Sequence, residues 1–164
     1  MSKLFETAPH LEDDTFKLSP LQADEFGALY EAASDPLIWA GHPSSDRGEA
    51  DAFRAWFDTF LIKGGTEVVR EKVTDRVVGC SRFYEAAAMP GGCAIGFTFL
   101  VRDHWGGSGN RSVKTMMLNA AFAEFDTVYL EIGSTNIRSQ KAAAKIGVEL
   151  VQEVPGIFNG DVPH

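Results

Sequence analysis

The sequence predicts a single α/β domain over residues 1–164, with a mixed, mostly antiparallel six- to seven-stranded sheet flanked by helices. Three observations carry this prediction. A chain of 164 residues with a hydrophobic fraction of 45% can bury one core. Three strand patterns joined by short turns in the middle of the chain predict an antiparallel meander. Strand and helix patterns then alternate, which predicts a parallel crossover covered by helices.

The N-terminal elements follow from local patterns. Residues 1–12 are predicted to form a loose arm, and Thr15–Leu21 alternates like a short strand before its proline. Apolar side chains at helical spacing predict two amphipathic helices, the first built on Phe26, Leu29, Tyr30 and Ala33, the second on Phe53, Trp56, Phe57 and Phe60. Proline after Asp35 ends the first helix, and a glycine pair, Gly64-Gly65, ends the second.

The later elements alternate in type. The predicted meander consists of Thr66–Lys72, Val77–Tyr84 and Cys93–Val101. Its third strand is apolar on both faces, which indicates a central place in the sheet. The remaining patterns predict a helix over Val113–Phe125, a strand at Thr127–Ile132, a helix over Ser139–Ile146 and a last strand at Val148–Val154.

Composition excludes several classes of protein. The net charge of −8 argues against non-specific nucleic-acid binding and against binding to anionic membranes. No apolar run is long enough to cross a bilayer, and neither Cys80 nor Cys93 belongs to a C-x-x-C pair, so we expect reduced thiols and a cytoplasmic protein. No metal-binding pattern is present among the acidic residues, and the histidines without a motif are interpreted as surface residues: His10, His42 and His164.

The stretch HWGGSGNRSVK, His104–Lys114, leads from a predicted strand through glycines into a predicted helix. Backbone N–H groups and the positive end of a helix dipole can bind an anion there, although a plain turn explains the glycines equally well. The spacing matches neither the phosphate-binding P-loop nor the dinucleotide fingerprint. Positive charge supports an anion site in this acidic chain, because basic residues cluster at Arg102, His104, Arg111, Lys114, Arg138, Lys141 and Lys145.

Two stretches together resemble a known family. They are IGFTFLVRDHWGGSGN at Ile95–Asn110 and LEIGSTNIRSQKAAAKIG at Leu130–Gly147. Their order and spacing resemble the GNAT superfamily of acetyl-CoA-dependent N-acetyltransferases, in particular the branch that includes the ribosomal-protein N-terminal acetyltransferases. The resemblance implies the GNAT fold, acetyl-CoA as cosubstrate, and a primary amine of a protein N-terminus or small molecule as acceptor. A non-catalytic acyl-CoA-binding or interaction module on the same scaffold is the alternative.

The resemblance also implies which residues hold the cosubstrate. The backbone at the strand end would bond the pantetheine arm through Phe99, Leu100 and Val101. The loop amides and an arginine would cradle the pyrophosphate, at Trp105, Gly106, Gly107, Ser108, Gly109, Asn110 and Arg111. Asn136 would bond the pantetheine at the start of the next helix, which also carries Lys141. Ser108 stands where the family has glycine, and weaker coenzyme binding is expected because a Cβ restricts the turn.

Amine acetylation needs a neutral amine, whereas a free alkylammonium has a pKa of about 10, so a general base is expected. Glu131 stands five residues before Asn136, where some relatives carry a catalytic glutamate. Glu85, a water chain, or an ordinary polar role for Glu131 stay open as alternatives. Ser139 matches a serine that in this branch often lies near the thiol, which implies that it protonates the leaving thiolate.

The acceptor site has no motif of its own. By the resemblance, the N-terminal helices and their loop form it, and Trp39, Phe57 and Glu85 are the expected substrate-binding residues. Simple core packing is the alternative explanation for the two aromatic side chains. Family members continue into a seventh strand, whereas Pro155–His164 is short for one. Either the sheet edge is open or the C-terminus is incomplete, and an open edge would favour pairing with a second copy as a homodimer.

Overall fold

The computed structural model describes residues 2–42 and 44–154. The helices within these residues are α1 Lys3–Glu6, α2 Phe26–Ala33, α3 Pro36–Trp39, α4 Ala50–Lys63, α5 Gly109–Phe122 and α6 Ile137–Lys145. The strands are β1 Leu11–Glu12, β2 Phe16–Pro20, β3 Thr66–Glu71, β4 Val77–Glu85, β5 Cys93–Leu100 and β6 Val128–Tyr129. None of these helices is long and apolar enough to cross a membrane.

The six strands form one mixed sheet in chain order, β1 to β6. Neighbouring strands from β1 to β5 are antiparallel, and β5 pairs in parallel with β6 through Cys93–Val128 and Ala94–Tyr129. This arrangement confirms the predicted fold class. The chain passes from β5 to the parallel β6 through α5, since a parallel neighbour requires a crossover connection.

Two apolar clusters cover the two faces of the sheet. On one face, α1 and α5 pack against strand residues that include Leu18, Phe83 and Ile95. On the other face, the aromatic side of α4 packs with α2 against residues that include Val68 and Phe99. The spacing that predicted these helices thus reflects burial on a sheet, which supplies most of the stability of such amphipathic helices.

The N-terminal arm is not loose, contrary to the prediction for residues 1–12. Ser2 caps α1, its hydroxyl accepting a hydrogen bond of 3.2 Å from the Leu4 N–H. Leu4 and Phe5 are then buried in the same cluster as α5, and β1 adds an edge strand to the sheet. The arm is ordered because two large apolar side chains gain burial there.

The last predicted strand was also wrong. Residues 148–154 form no strand, and Leu150 and Val151 are 90% and 72% exposed. The Thr127–Ile132 strand is shortened to Val128–Tyr129, because the chain beyond it leaves the sheet. A β-rich segment forms a strand only where it finds a pairing partner. The expectation for Pro155–His164 concerns residues outside those described.

Candidate active site

A cavity of about 770 Å³ opens where β5 and β6 separate. The two strands pair only as far as Ala94 and Tyr129. Beyond that point residues 95–100 form one wall and residues 130–133 the opposite wall. The start of α5 and the face of α6 complete the lining, so the cavity joins the glycine loop to the C-terminal motif.

A bulge in β5 shapes one wall of this cavity. Between the Cys80–Phe99 and Arg82–Gly96 pairs, β4 has one residue and β5 has two. Phe97 takes up the difference with a φ of 52°, a left-handed conformation that is rare for a bulky residue. Its ring is held against Phe60 and Tyr84, at centroid distances of 4.7 and 5.1 Å.

Only some positions of the glycine loop require glycine. Gly106 has a φ of 73°, and a Cβ on Gly109 would lie 3.0 Å from the His104 carbonyl oxygen. Ser108 has φ −86° and ψ −2°, a conformation that any L-residue adopts. The expected restriction of the turn by the Ser108 side chain is therefore wrong.

Several groups that can bind an anion meet at this loop. The start of α5 lines the cavity, and the first backbone N–H groups of a helix have no partner within the helix, so they can bind an anion. Arg111, Lys141 and Lys145 line the same region, and Arg111 donates a hydrogen bond of 3.1 Å to the Lys145 carbonyl. This donor set fits the phosphates of a nucleotide-derived cosubstrate such as coenzyme A.

The Glu131 carboxylate lines the cavity beside Tyr84. Oε1 accepts a hydrogen bond of 2.8 Å from the Ala88 N–H, which fixes the side chain. Oε2 is buried. Burial raises the pKa of Tyr84 above its usual range, and the negative charge of Glu131 and a hydrogen bond to its carboxylate add to this rise. A carboxylate fixed in this way can accept a proton.

Asn136 and Ser139 lie at the start of α6 and both line the cavity. Asn136 caps the helix, and its Oδ1 accepts a hydrogen bond of 3.3 Å from the Ser139 N–H. The cap accounts for the start of the helix at this asparagine. Glu131 and Ser139 therefore border the same cavity.

The basic side chain of Lys114 lies in the floor of the cavity, a buried position that the sequence analysis did not predict. Lys114 is 5% exposed, and its Nζ donates a hydrogen bond of 2.5 Å to Thr98 Oγ1. Thr98 Oγ1 in turn lies 2.7 Å from Ser81 Oγ, so the lysine is tied to the bulged part of β5. Lys114, Met117 and Ala121 share the i, i+3, i+7 face of α5, and this spacing could have revealed the buried lysine.

Burial lowers the pKa of Lys114 from 10.5 to about 8, which makes stability depend on pH. Between pH 8 and pH 10.5 Lys114 is protonated in the unfolded chain more than in the folded protein, so the free energy of unfolding rises with pH over this range. Below about pH 8 the folded protein carries the full destabilising effect of the buried charge. We expect Lys114→Met to stabilise the protein at neutral pH by on the order of 3 kcal/mol, an advantage that vanishes by about pH 10.5. Urea unfolding of both proteins across this range measures the difference.

Lys17→Met is the matched control, because Lys17 is exposed and pairs with Asp75 on the surface. This control should leave the pH dependence of unfolding unchanged between about pH 8 and pH 10.5. An equal pH dependence in Lys114→Met and the parent protein would show that Lys114 is not a costly buried cation.

Three cationic or basic side chains occupy the part of the cavity near the 38–48 segment. His42, Arg47 and Arg138 all line it, although His42 was expected on the surface. Burial, then the positive charges of Arg47 and Arg138, lower the pKa of His42 to about 4, so this imidazole is neutral at pH 7. Its Nδ1 accepts a hydrogen bond of 2.9 Å from the Ser44 N–H.

Most of the predicted site residues come together in the cavity. Those that line it are Phe99, Leu100, Trp105, Gly106, Gly107, Ser108, Asn110, Arg111, Glu131, Asn136, Ser139 and Lys141. Val101 and Gly109 lie just behind it. The Val101 N–H already donates a hydrogen bond of 2.8 Å to the Val78 carbonyl. Gly109 packs closely against the His104 backbone.

The three residues expected to bind the acceptor do not line the cavity. Phe57 is fully buried between α2 and α4, where its ring packs against Phe26. Trp39 is 3% exposed and supports His42, at a centroid distance of 5.4 Å. Glu85 is exposed and accepts a hydrogen bond of 2.9 Å from the Gly91 N–H in the β4–β5 turn. Core packing and turn formation therefore account for these side chains.

Comparison with known proteins identifies the class of the fold and site. Residues 16–149 match the family model described as acetyltransferase (GNAT) domain. The chain therefore belongs to the GNAT acetyltransferase family. A search among curated proteins found no significant match.

Solved structures share this fold at low sequence identity. A probable acetyltransferase of the GNAT family from Chromobacterium violaceum is 19% identical with a TM-score of 0.81, over 97% of this chain and 85% of that one. Spermidine N-acetyltransferase from Vibrio cholerae, in complex with CoA and spermine, is 16% identical with a TM-score of 0.65, over 92% and 94%. The microcin C7 self-immunity acetyltransferase MccE, in complex with acetyl-CoA and AMP, is 14% identical with a TM-score of 0.71, over 92% and 88%.

Proposed function

We propose that this protein is an acetyl-CoA-dependent N-acetyltransferase that moves an acetyl group to a primary amine by direct attack in a ternary complex. The observation that carries the proposal is that one cavity joins an anion-binding helix start to the fixed carboxylate of Glu131. Membership of the GNAT family supports acetyl transfer in general. The free, buried thiols of Cys80 and Cys93 fit the proposed cytoplasmic location.

Different groups of the cavity bind different parts of acetyl-CoA. The loop from Trp105 to Arg111 and the α5 N-terminus take the phosphates, with Lys141 adding charge. The backbones of Phe99 and Leu100, together with Asn136, take the pantetheine arm. Because the Val101 N–H is occupied in the sheet, its proposed role passes to these two residues.

Acetyl-CoA supplies a thioester whose acetyl group is transferred to the amine nitrogen. Glu131 Oε2 takes a proton from that nitrogen, directly or through one water molecule. A backbone N–H of the bulged strand stabilises negative charge on the carbonyl oxygen. Ser139 donates its hydroxyl proton to the departing sulfur and regains a proton from solvent. The sum of these steps forms one amide and one thiol.

Two measurements test the proposal. Calorimetry with acetyl-CoA should show binding, and a panel of primary amines should include at least one that releases free thiol. Absence of binding at millimolar concentration would remove the proposal altogether. Binding without turnover of any amine would instead indicate the alternative, a non-catalytic acyl-CoA-binding module. The resemblance to the ribosomal-protein branch makes short peptides with free N-termini part of that panel.

Ser108→Gly should change the dissociation constant for acetyl-CoA by less than about threefold. The side chain is exposed and its backbone angles are ordinary, so glycine gains no conformational advantage here. Calorimetry compares the two proteins. Gly106→Ala is the matched contrast in the same loop, because its φ of 73° disfavours a Cβ and binding should weaken. Tenfold tighter binding by Ser108→Gly would contradict the conformational argument.

A further inference from the structure

Two arginines in the cavity have no acidic partner. Arg47 and Arg138 both line it, and neither forms an ion pair with a carboxylate among residues 2–42 and 44–154. The Asp46 carboxylate acts electrostatically on Arg47 but is exposed. Positive charge in a partly enclosed site without a matching carboxylate leaves an anion-binding capacity unused.

The Arg47 guanidinium is held in place by its surroundings. It lies over the rings of Trp39 and Trp56, 5.6 Å from each ring centroid. One of its N–H groups donates a hydrogen bond of 3.2 Å to Ser44 Oγ. The guanidinium has five N–H donors, so others remain for a ligand. Such positioning on aromatic faces lowers the cost of ordering a long side chain on binding.

Arg138 approaches the same space from α6. It donates a hydrogen bond of 3.0 Å to the Ile38 carbonyl and lies 3.9 Å from the Trp105 ring centroid. The charges of both arginines act on His42, so all three side chains share one neighbourhood. Arg47 and His42 belong to the segment between α3 and α4, whereas the phosphate-binding set of Arg111, Lys141 and Lys145 lies on α5 and α6. Arg138 also lies on α6, three residues before Lys141.

We propose that Arg47 and Arg138, together with His42, bind an anionic group of the acceptor, whose primary amine then faces Glu131. The acceptor is thus an amine that also carries a carboxylate or a phosphate. This inference rests on the proposed function of the cavity. Glu131 attracts the ammonium and the arginines attract the acid, so the two poles orient such a molecule. A polyamine would place a second positive charge against the arginines.

An acceptor panel matched in length tests the inference. It comprises an amino carboxylate, an aminoalkyl phosphate, an amino alcohol and a diamine, each tested for thiol release from acetyl-CoA. We expect kcat/KM for at least one anionic amine to exceed that for the alcohol and the diamine by about tenfold or more. The carboxylate and phosphate members show which anion is bound. Equal or better turnover of the diamine would overturn the inference.

The second part of the experiment uses the variant Arg47→Met. It should lower the ratio of kcat/KM for the anionic amine to that for the alcohol by about tenfold, mainly through KM, without weakening acetyl-CoA binding in calorimetry. Arg54→Met is the matched control, because Arg54 also lies over an aromatic ring, that of Phe26, but is outside the cavity and is paired with Asp58. An unchanged ratio in Arg47→Met would contradict the proposed subsite.

Two further measurements keep the outcomes distinct. Arg138→Met, at an exposed position of α6, repeats the test if Arg47→Met melts at a much lower temperature than the parent protein. If no amine is turned over, the proposed enzyme function fails. The subsite is then judged by calorimetry with the two anionic amines in the presence of acetyl-CoA. Binding that is lost in either arginine variant supports the subsite, and absence of binding to the parent protein overturns it.

Discussion

Glu131→Gln is expected to lower kcat by about 100- to 1,000-fold at neutral pH, because the variant lacks the group that takes the proton from the amine. Glutamine keeps an oxygen that can accept the Ala88 N–H hydrogen bond, so the side chain should stay in place. Turnover by the variant should rise steadily toward pH 10, since the free amine then loses its proton to solvent. Steady-state thiol release across this pH range measures both effects.

The matched control for Glu131→Gln is Glu85→Gln. Glu85 is the other carboxylate considered as a base, but it bonds the β4–β5 turn and lies outside the cavity. Its replacement should leave kcat within about twofold. Acetyl-CoA affinity should be the same in both variants. Full activity of Glu131→Gln would exclude this carboxylate as the base and would favour a water chain.

Gly79→Ala is expected to destabilise the fold by about 3 kcal/mol or more, the range of severe single substitutions. A Cβ at this position of β4 would lie 2.0 Å from the Phe99 carbonyl oxygen. That atom belongs to the backbone of β5, which cannot move without breaking the central pair of strands. The free energy of unfolding in urea measures the loss, and acetyl-CoA binding should weaken too because Phe99 and Leu100 line the cavity.

Gly27→Ala is the matched control for the glycine substitution. Gly27 lies on the exposed side of α2, with no atom within 4 Å of an added Cβ. Alanine in a helix is favoured over glycine by roughly 0.5–1 kcal/mol, so this variant should be slightly more stable than the parent protein. A stable Gly79→Ala protein would mean that β4 and β5 are less tightly paired than the structure indicates.

The sheet and its main helices could be predicted because their apolar spacing reflects burial on one sheet. The segments that failed depend on distant partners. Leu4 and Phe5 become ordered through contacts with α5 and Phe125, more than 100 positions away, which no local pattern contains. Conversely, Val148–Val154 has strand composition but finds no neighbouring strand within the described residues.

The residues of the site also differ in how far the sequence predicts them. The glycine loop and the C-terminal motif could be predicted because each is a short, contiguous pattern beside a helix start. The helical spacing of Lys114 contained the signal for its burial, but the inward positions of Arg47 and His42 could not be predicted, since they depend on how the fold turns the segment between α3 and α4. Trp39 and Phe57 illustrate the opposite error. Their large rings were candidates for the pocket wall. Trp39 instead packs behind the lining residue His42, and Phe57 is buried in the core between α2 and α4.

The left-handed Phe97 has an energetic consequence for ligand binding. A bulky residue in this conformation costs about 1–3 kcal/mol, and here the aromatic contacts with Phe60 and Tyr84 hold it. This conformational free energy is already included in the folding of the chain. The gap between β5 and β6 is therefore preorganised, and a ligand that binds there does not have to induce the strained conformation of Phe97, so its contacts contribute fully to affinity.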